Sequence, residues 1–98
     1  MTLEELKYIV SEAYNKNERY VDIDCLPWQL KEVELGEWID DGKYSHCSDI
    51  YQDDVGNHFE INNSRSGSYH TDYYYNEPDV YQVIPKVETI TRVKWVMV

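Results

Sequence analysis

Two pairs of neighbouring carboxylates, Asp40-Asp41 and Asp53-Asp54, are the first residues whose type and spacing could do chemistry. Paired acids serve as general acid and base when their surroundings push their pKa values apart. Both pairs, however, lie in stretches typical of turns, where Asp is favoured because it hydrogen-bonds nearby backbone. The sequence has no Gly-rich phosphate loop, Gly-x-Ser-x-Gly elbow or His-Glu-x-x-His motif. We therefore expect turn chemistry here, no catalytic residue and no enzyme activity.

A metal site is the second chemistry to weigh, and its candidate ligands are Cys25, His46, Cys47, His58 and His70. They lack the Cys-x-x-Cys or His-x-x-x-His spacing of zinc sites, and His46 and Cys47 would point to opposite faces of one strand. Catalysis by Cys47 would need an adjacent base and oxyanion donors, which the sequence does not indicate. We predict no metal and no cofactor, and two reduced cysteines that fill the core.

The acidic middle of the chain favours binding. The net charge is −10, and residues 22–60 hold 11 acids but only Lys31 and Lys43 as bases. Direct binding to nucleic acid is disfavoured, because cations must replace counterions on phosphates. A basic protein surface that handles nucleic acid would instead be attracted. The alternative is that the acids are solvated turn residues that keep the protein soluble. The predicted binding carboxylates are Asp22, Asp24, Glu32, Glu34, Glu37, Asp40, Asp41, Asp49, Asp53 and Asp54.

A Tyr-rich stretch, residues 65–75, is the second candidate for binding. In a strand from Tyr69, the side chains of Tyr73 and Tyr75 would share one face and Asp72 would lie on the other. In a structural interpretation, one Tyr row packs under a helix while Arg65 pairs with Asp72 and fixes the register. In a functional interpretation, Arg65, Asp72, Tyr73 and Tyr75 form a contact patch, since Tyr and Arg are enriched at binding hot spots.

The elements that would position these residues begin with a helix over residues 2–16. Thr2 can cap it with Glu5 as partner, and its apolar stripe is Leu3, Leu6, Ile9, Val10 and Ala13. Alternating patterns then predict strands over 20–25, 32–39, 44–52, 58–62, 69–75, 80–84 and 87–98, with turns at 40–43, 53–57, 64–68 and 76–78. The fold class is α+β: one N-terminal helix packed on an antiparallel β-meander of about five or six strands, in a single domain spanning residues 1–98.

Three segments resemble small accessory proteins of bacteriophages and prophages. They are residues 65–75 (RSGSYHTDYYY), 79–83 (DVYQV) and 89–95 (TITRVKW), and the resemblance covers the C-terminal third to half of the chain. Proteins of this group include inhibitors of host defence of the anti-CRISPR and anti-restriction type, some of which mimic DNA. The resemblance implies such a role, but it assigns no residue to a site.

The leading hypothesis is a phage-encoded, non-enzymatic inhibitor that binds a basic surface of a host nuclease or Cas effector through its acidic region. It would act in the host cytoplasm, because no signal peptide is visible and no apolar run approaches the roughly 18 residues that a membrane helix needs. One alternative is a structural or adaptor protein that forms a homodimer through an exposed sheet edge or the apolar end at 93–98. Another is a small-molecule binder built on Arg65, His70 and the Tyr cluster.

Overall fold

The computed structural model describes residues 1–17, 20–67, 74–88 and 92–98, which form one α-helix followed by an antiparallel sheet. The α+β prediction is confirmed, and the described sheet has seven strands rather than five or six. The elements are α1 Leu3–Asn17, a short 3₁₀ helix Ile23–Cys25, β1 Lys31–Glu34, β2 Ile39–Asp41, β3 Tyr44–Gln52, β4 His58–Ser66, β5 Tyr74–Tyr75, β6 Asp79–Glu88 and β7 Arg92–Met97.

Helix α1 starts where the sequence predicts. Thr2 Oγ1 accepts the backbone N–H of Glu5 at 3.1 Å and donates to the Glu5 carboxylate at 3.1 Å, which caps the first turn. Leu6 and Val10 of the predicted stripe are completely buried against the sheet. They form the core with residues from every layer, namely Val21, Leu30, Tyr51, Phe59, Ile61 and Val80.

The sheet is built around the hairpin of β3 and β4, whose register runs without interruption from Tyr44 opposite Ser66 to Gln52 opposite His58. The strand order is β1-β3-β4-β6-β7, with β2 also pairing to β3 and β5 also pairing to β4. Alternate residues of β3 and β4 face α1 and are buried, including Cys47, Tyr51 and Phe59. We call this side of the sheet the helix face.

The predicted strand over 32–39 is wrong as one element. Strands β1 and β2 pair with opposite ends of the same edge of β3, and residues 35–38 leave the ladder between them. Gly36 lies so close to β3 that a Cβ atom built on it would be 2.3 Å from the Ser48 carbonyl oxygen. Only a glycine allows that approach, so the segment is held against β3 without strand pairing.

The predicted strand over 20–25 is also wrong. Val21 is buried in the core, and Asp22 instead caps the 3₁₀ helix by accepting the N–H of Asp24 at 3.1 Å. Asn63 on β4 fixes this segment from below, since its side chain accepts the N–H of Val21 at 2.9 Å and donates to the Val21 carbonyl at 3.1 Å. The segment therefore crosses the helix face instead of joining a sheet edge.

Three further boundaries differ from the predictions. Residues 64–66 continue β4 instead of turning, and the bend comes at Gly67 with a φ of 120°. Pro85 does not separate two strands, because β6 continues through it. Strand β4 pairs with β6 only as far as Val83, so the missing N–H of Pro85 removes no hydrogen bond between β4 and β6. The predicted strands over 69–75 and 87–98 fall partly outside the described residues, at 68–73 and 89–91.

Candidate functional site

A cleft of about 400 Å³ opens on the helix face of the sheet. Its walls come from four parts of the chain: the segment before the 3₁₀ helix, strand β1, the segment 35–38, and the buried faces of β3 and β4. We call it the acidic cleft, and it is lined by Tyr20, Asp22, Glu32, Leu35, Gly36, Glu37, Trp38, Cys47, Asp49, Tyr51 and Asn63.

Asp49 lies at the base of the acidic cleft and is hydrogen-bonded to the segment 35–38, which forms one wall of the cleft. The residue is only 8% exposed, and its Oδ1 accepts the backbone N–H of Gly36 at 2.9 Å. The Cys47 thiol donates to the Gly36 carbonyl oxygen at 3.5 Å, so both backbone groups of Gly36 are satisfied by β3 side chains. The second oxygen of Asp49, Oδ2, accepts no hydrogen bond from any residue that the structure describes.

The thiol of Cys47 is not poised for nucleophilic chemistry. Burial, reinforced by the adjacent Asp49 carboxylate, raises the pKa of the Cys47 thiol to about 11. The reactive form of cysteine is the thiolate, which this environment disfavours at neutral pH. The expectation that Cys47 fills the core agrees with its burial.

Tyr51 also lines the acidic cleft and is 1% exposed. Burial raises its pKa, and the negative charges of Asp49, Glu32 and Asp22 raise it further, which places those three carboxylates within electrostatic reach of its hydroxyl. That hydroxyl makes no hydrogen bond to a described residue, and its oxygen is not among the fully buried unpaired atoms, so it keeps some accessible surface. Because Tyr51 lines the cleft, this hydroxyl is available to a group that enters it.

Aromatic rings form one side of the acidic cleft. Tyr20 and Trp38 meet edge to face with ring centroids 5.9 Å apart, and Tyr75 contacts Trp38 at 6.2 Å. The guanidinium carbon of Arg65 lies 4.1 Å from the centroid of the Trp38 ring, a cation–π distance. Arg65 and Tyr75 face each other across β4 and β5, so two residues of the predicted Tyr-rich patch do come together here.

The rest of that patch, Asp72 and Tyr73, lies outside the described residues, as does His70 of the predicted small-molecule site. Trp38, Tyr20 and Tyr51 were not among the predicted site residues, although they line the cleft. Gly36 is the feature of the sequence that indicates this cleft, because an isolated Gly within an alternating stretch is typical of a bulge or a close backbone approach.

The predicted acidic residues do not all converge on the acidic cleft. Asp22, Glu32, Glu37 and Asp49 line it, each from a different part of the chain. The others are distributed elsewhere, with Glu34 and Asp53 in internal hydrogen bonds and Asp24 in a separate hollow beside α1. Asp40 and Asp41 lie in β2 and not in a turn as predicted: Asp40 accepts from the Ser45 hydroxyl, and Asp41 is exposed at the end of the strand. Asp54 is exposed in the turn after β3.

Asp53 is the clearest departure from the predicted binding role. Its side chain has no exposed surface, and it accepts from the Met1 ammonium at 3.0 Å, from the N–H groups of Val55 and Asn57, and from the Asn57 amide. Burial alone would raise the pKa of Asp53, but these hydrogen bonds outweigh it and lower the value to about 2. Asp53 therefore organises the β3–β4 turn, and we leave it out of any binding surface.

Glu34 lies across the sheet from the acidic cleft. The indole N–H of Trp95 donates to its carboxylate, and the Trp95 ring also contacts the His58 ring at 5.1 Å. These contacts join β7 to β1 across the face of the sheet that does not pack against α1. Glu34 thus supports the fold on the opposite face and adds nothing to the cleft.

The carboxylates of the acidic cleft form no ion pair within the part of the chain that the structure describes, although the Arg65 guanidinium is within electrostatic reach of Cys47 at the base. No Lys or Arg there lies within 4.0 Å of a cleft carboxylate, and the ion pair observed joins Met1 to Asp53. The described residues also contain no group of three or more His, Cys, Asp or Glu that could hold a metal ion. No helix among them is long and apolar enough to cross a membrane.

Comparison with known proteins agrees on a phage origin. A family model described as "Phage T4 Y04K protein" matches residues 1–98. An "Uncharacterized 12.6 kDa protein in pin-nrdC intergenic region" of Enterobacteria phage T4 is 37% identical over 82 residues, which cover 83% of this chain and 74% of that protein. No solved structure matches the chain.

Proposed function

The chain belongs to the Phage T4 Y04K protein family and is a small phage protein; from that premise we propose that it is a non-enzymatic inhibitor of a host defence protein. It binds a basic, nucleic-acid-handling surface of that protein in the host cytoplasm. The binding surface is centred on the acidic cleft, with Asp22, Glu32, Glu37 and Asp49 supplying the negative charge.

One observation carries this proposal: four carboxylates line a single concave surface with no Lys or Arg within ion-pair distance among the described residues. Asp22, Glu32 and Glu37 are not needed to fill a core, and like charges held close together weaken the folded state. An external cation relieves that repulsion. The arrangement therefore favours binding to a positively charged partner over a role in folding.

The mechanism is occlusion. The field of the acidic cleft steers a basic surface toward it, and the half-buried rings of Tyr20 and Trp38 then add desolvated contacts. A partner surface covered in this way is unable to hold its nucleic acid. The carboxylates lie in a cleft and not along a sheet edge. Recognition therefore depends on a few charged positions, and the protein does not need to imitate a whole row of phosphates.

The test starts with purification of a partner from a lysate of the host bacterium. Its affinity is then measured over a salt series for the wild-type protein and two variants of equal charge. The cleft variant is Asp22→Asn/Glu32→Gln/Glu37→Gln, and the control variant is Glu12→Gln/Asp41→Asn/Asp54→Asn, whose residues are exposed elsewhere. Asn at position 22 keeps the cap of the 3₁₀ helix.

We expect the cleft variant to bind at least tenfold more weakly at low salt, and to show a shallower salt dependence, because the partner loses charged contacts. The control variant should remain within about threefold of wild type. Duplex DNA should compete with the wild-type protein for the partner. Salt-independent binding, or equal losses in the two variants, would contradict the proposal.

A homodimer is the second candidate, favoured by exposed apolar residues at the end of the sheet. Val93 and Met97 on β7 are 55% and 68% exposed, and Ile84 on the neighbouring strand is also exposed. Edge strands with such side chains pair readily with a second copy. Sedimentation equilibrium distinguishes the two functions: a concentration-dependent dimer that Val93→Lys dissociates supports this one, and a monomer at all concentrations excludes it.

A further inference from the structure

The hydroxyl of Tyr51 is the feature that the proposed function leaves unexplained. It belongs to a residue that is 1% exposed, it lines the acidic cleft, and it has no hydrogen-bond partner among the described residues. A phenylalanine would fill the same space, so what the hydroxyl adds is a hydrogen-bonding group on the wall of the cleft.

The surroundings of the hydroxyl define the chemistry of that group. Asp49 and Glu32 approach it from β3 and β1, and Asp22 from the segment that crosses the sheet. Asp49 Oδ2 is a second acceptor without a donor in the described part of the chain. A ligand that satisfies these atoms must be cationic and must present several N–H donors at once.

Guanidinium fits this set better than ammonium. It presents five N–H donors in a fixed plane, whereas a lysine presents three on a compact, strongly hydrated group. The aromatic side of the cleft agrees, since the Arg65 guanidinium already lies 4.1 Å from the centroid of the Trp38 ring. The volume of about 400 Å³ lies within the range of roughly 300–1,000 Å³ that is typical of ligand sites.

We propose that the acidic cleft receives one arginine side chain of the partner protein, with its guanidinium hydrogen-bonded to Asp49 Oδ2 and the Tyr51 hydroxyl, and flanked by Glu32 and Asp22. This inference deepens the proposed function and rests on it for the identity of the partner. The guanidinium site itself is a property of this chain and is testable without a partner.

The experiment is an NMR titration of the uniformly ¹⁵N-labelled full chain with N-methylguanidinium, with n-butylammonium as the lysine analogue. The indole N–H of Trp38 and the backbone N–H of Gly36 report from two sides of the cleft. Tyr51→Phe is the test variant. Tyr44→Phe on the same strand, which is 62% exposed, is its matched control.

We expect saturable shifts at both reporters with N-methylguanidinium, and a dissociation constant at least threefold lower than that of n-butylammonium. Tyr51→Phe should weaken N-methylguanidinium about three- to tenfold, the value of one hydrogen bond, and Tyr44→Phe should leave it unchanged. Asp49→Asn, which keeps an acceptor for the Gly36 N–H, should weaken it at least as much. Retained dispersion of the amide spectrum shows that each variant is folded.

Absence of saturable shifts, equal binding of n-butylammonium, or an unchanged affinity in Tyr51→Phe would each overturn the arginine site. The proposed function fails separately. If N-methylguanidinium binds as described but the purified partner shows no salt-dependent affinity for the cleft, the inhibitor proposal falls and the guanidinium site stands. If the partner binds through the cleft equally well after Tyr51→Phe, the guanidinium site falls and the inhibitor proposal stands.

Discussion

Asp49 and Asp53 are two buried aspartates four positions apart, yet the molecule uses them differently. Asp53 accepts from an ammonium, two backbone N–H groups and a side-chain amide, so its charge is fully compensated. Asp49 lines the cleft, accepts from the Gly36 N–H and has a weak contact with the Cys47 thiol, and its other oxygen accepts no hydrogen bond from a described residue. Complete satisfaction marks a residue that supports the fold, and incomplete satisfaction marks one available to a ligand.

The largest expected effect comes from substituting Asp53, the aspartate whose charge is compensated. Asp53→Ala leaves the donors of the β3–β4 turn and the Met1 ammonium without an acceptor, which should lower the free energy of unfolding by roughly 3 kcal/mol. Urea denaturation measures the change. Asp54→Ala, at the exposed neighbouring position, is the control and should remain within about 0.5 kcal/mol of wild type. Equal effects of the two substitutions would show that Asp53 is not the centre of the turn.

The pH dependence of stability sharpens the same contrast. The pKa of Asp53 is about 2 in the folded protein, below its ordinary value of 3.8, so its contribution is present above about pH 5 and is lost as the pH falls toward 2. The pKa of the Met1 ammonium is raised, chiefly by its hydrogen bond to Asp53, so its share is present below about pH 8 and is lost as the pH rises through the folded value.

The difference in unfolding free energy between wild type and Asp53→Ala should therefore be greatest between about pH 5 and 8 and should shrink on either side. Urea denaturation at intervals from pH 2 to 10 measures it. A difference that stays constant across this range would contradict the assignment of the charge pair.

A smaller effect tests the packing of the segment 35–38, which is hydrogen-bonded to Asp49 through Gly36. Gly36→Ala places a methyl group 2.3 Å from the Ser48 carbonyl oxygen, so the segment 35–38 must move away from β3. We expect a loss of about 2 kcal/mol in unfolding free energy, together with loss of the hydrogen bond to Asp49. Amide hydrogen exchange at position 36 should accelerate in the variant. Glu37→Ala, which adds no atoms near β3, is the control, and protection retained in Gly36→Ala would contradict the packing described.

The smallest effect is kinetic. Because the pKa of Cys47 is about 11 and the residue is buried, its thiol should react with iodoacetamide at pH 8 at least tenfold more slowly than the thiol of the less buried Cys25. Mass spectrometry of timed digests gives both rates in one sample. The difference should vanish in urea, where neither thiol is shielded, and faster modification of Cys47 in the folded chain would contradict the closed base of the cleft.

The sequence allowed prediction of the parts of the fold that depend on local pattern. Thr2 and Glu5 identified the start of α1, and β3 begins and ends at the predicted residues because two turns bracket an alternating stretch. The errors at 20–25 and 32–39 have one cause. Each segment alternates like a strand, but β3 and β4 have other partners along their edges, so contacts from Asn63 and the close approach of Gly36 decide where the chain goes.

The candidate site was predictable only in part for the same reason. Asp22, Glu32, Glu37 and Asp49 were selected for their charge, but nothing local distinguishes them from Glu34 or Asp53. Their convergence depends on pairing between segments distant in sequence. The sequence does not single out Tyr51, because a tyrosine in a buried strand is typical of a core, and only the fold shows that its hydroxyl makes no hydrogen bond to a described residue.

The most direct test of the central claim is the stability of the cleft variant, Asp22→Asn/Glu32→Gln/Glu37→Gln, in the absence of any partner. If these carboxylates are held together for a ligand and not for the fold, removing their repulsion should raise the free energy of unfolding by roughly 0.5–1 kcal/mol at low salt. The gain should disappear at high salt, and Glu12→Gln/Asp41→Asn/Asp54→Asn should show a smaller one. A cleft variant less stable than wild type would show that these carboxylates support the fold, and would contradict the claim.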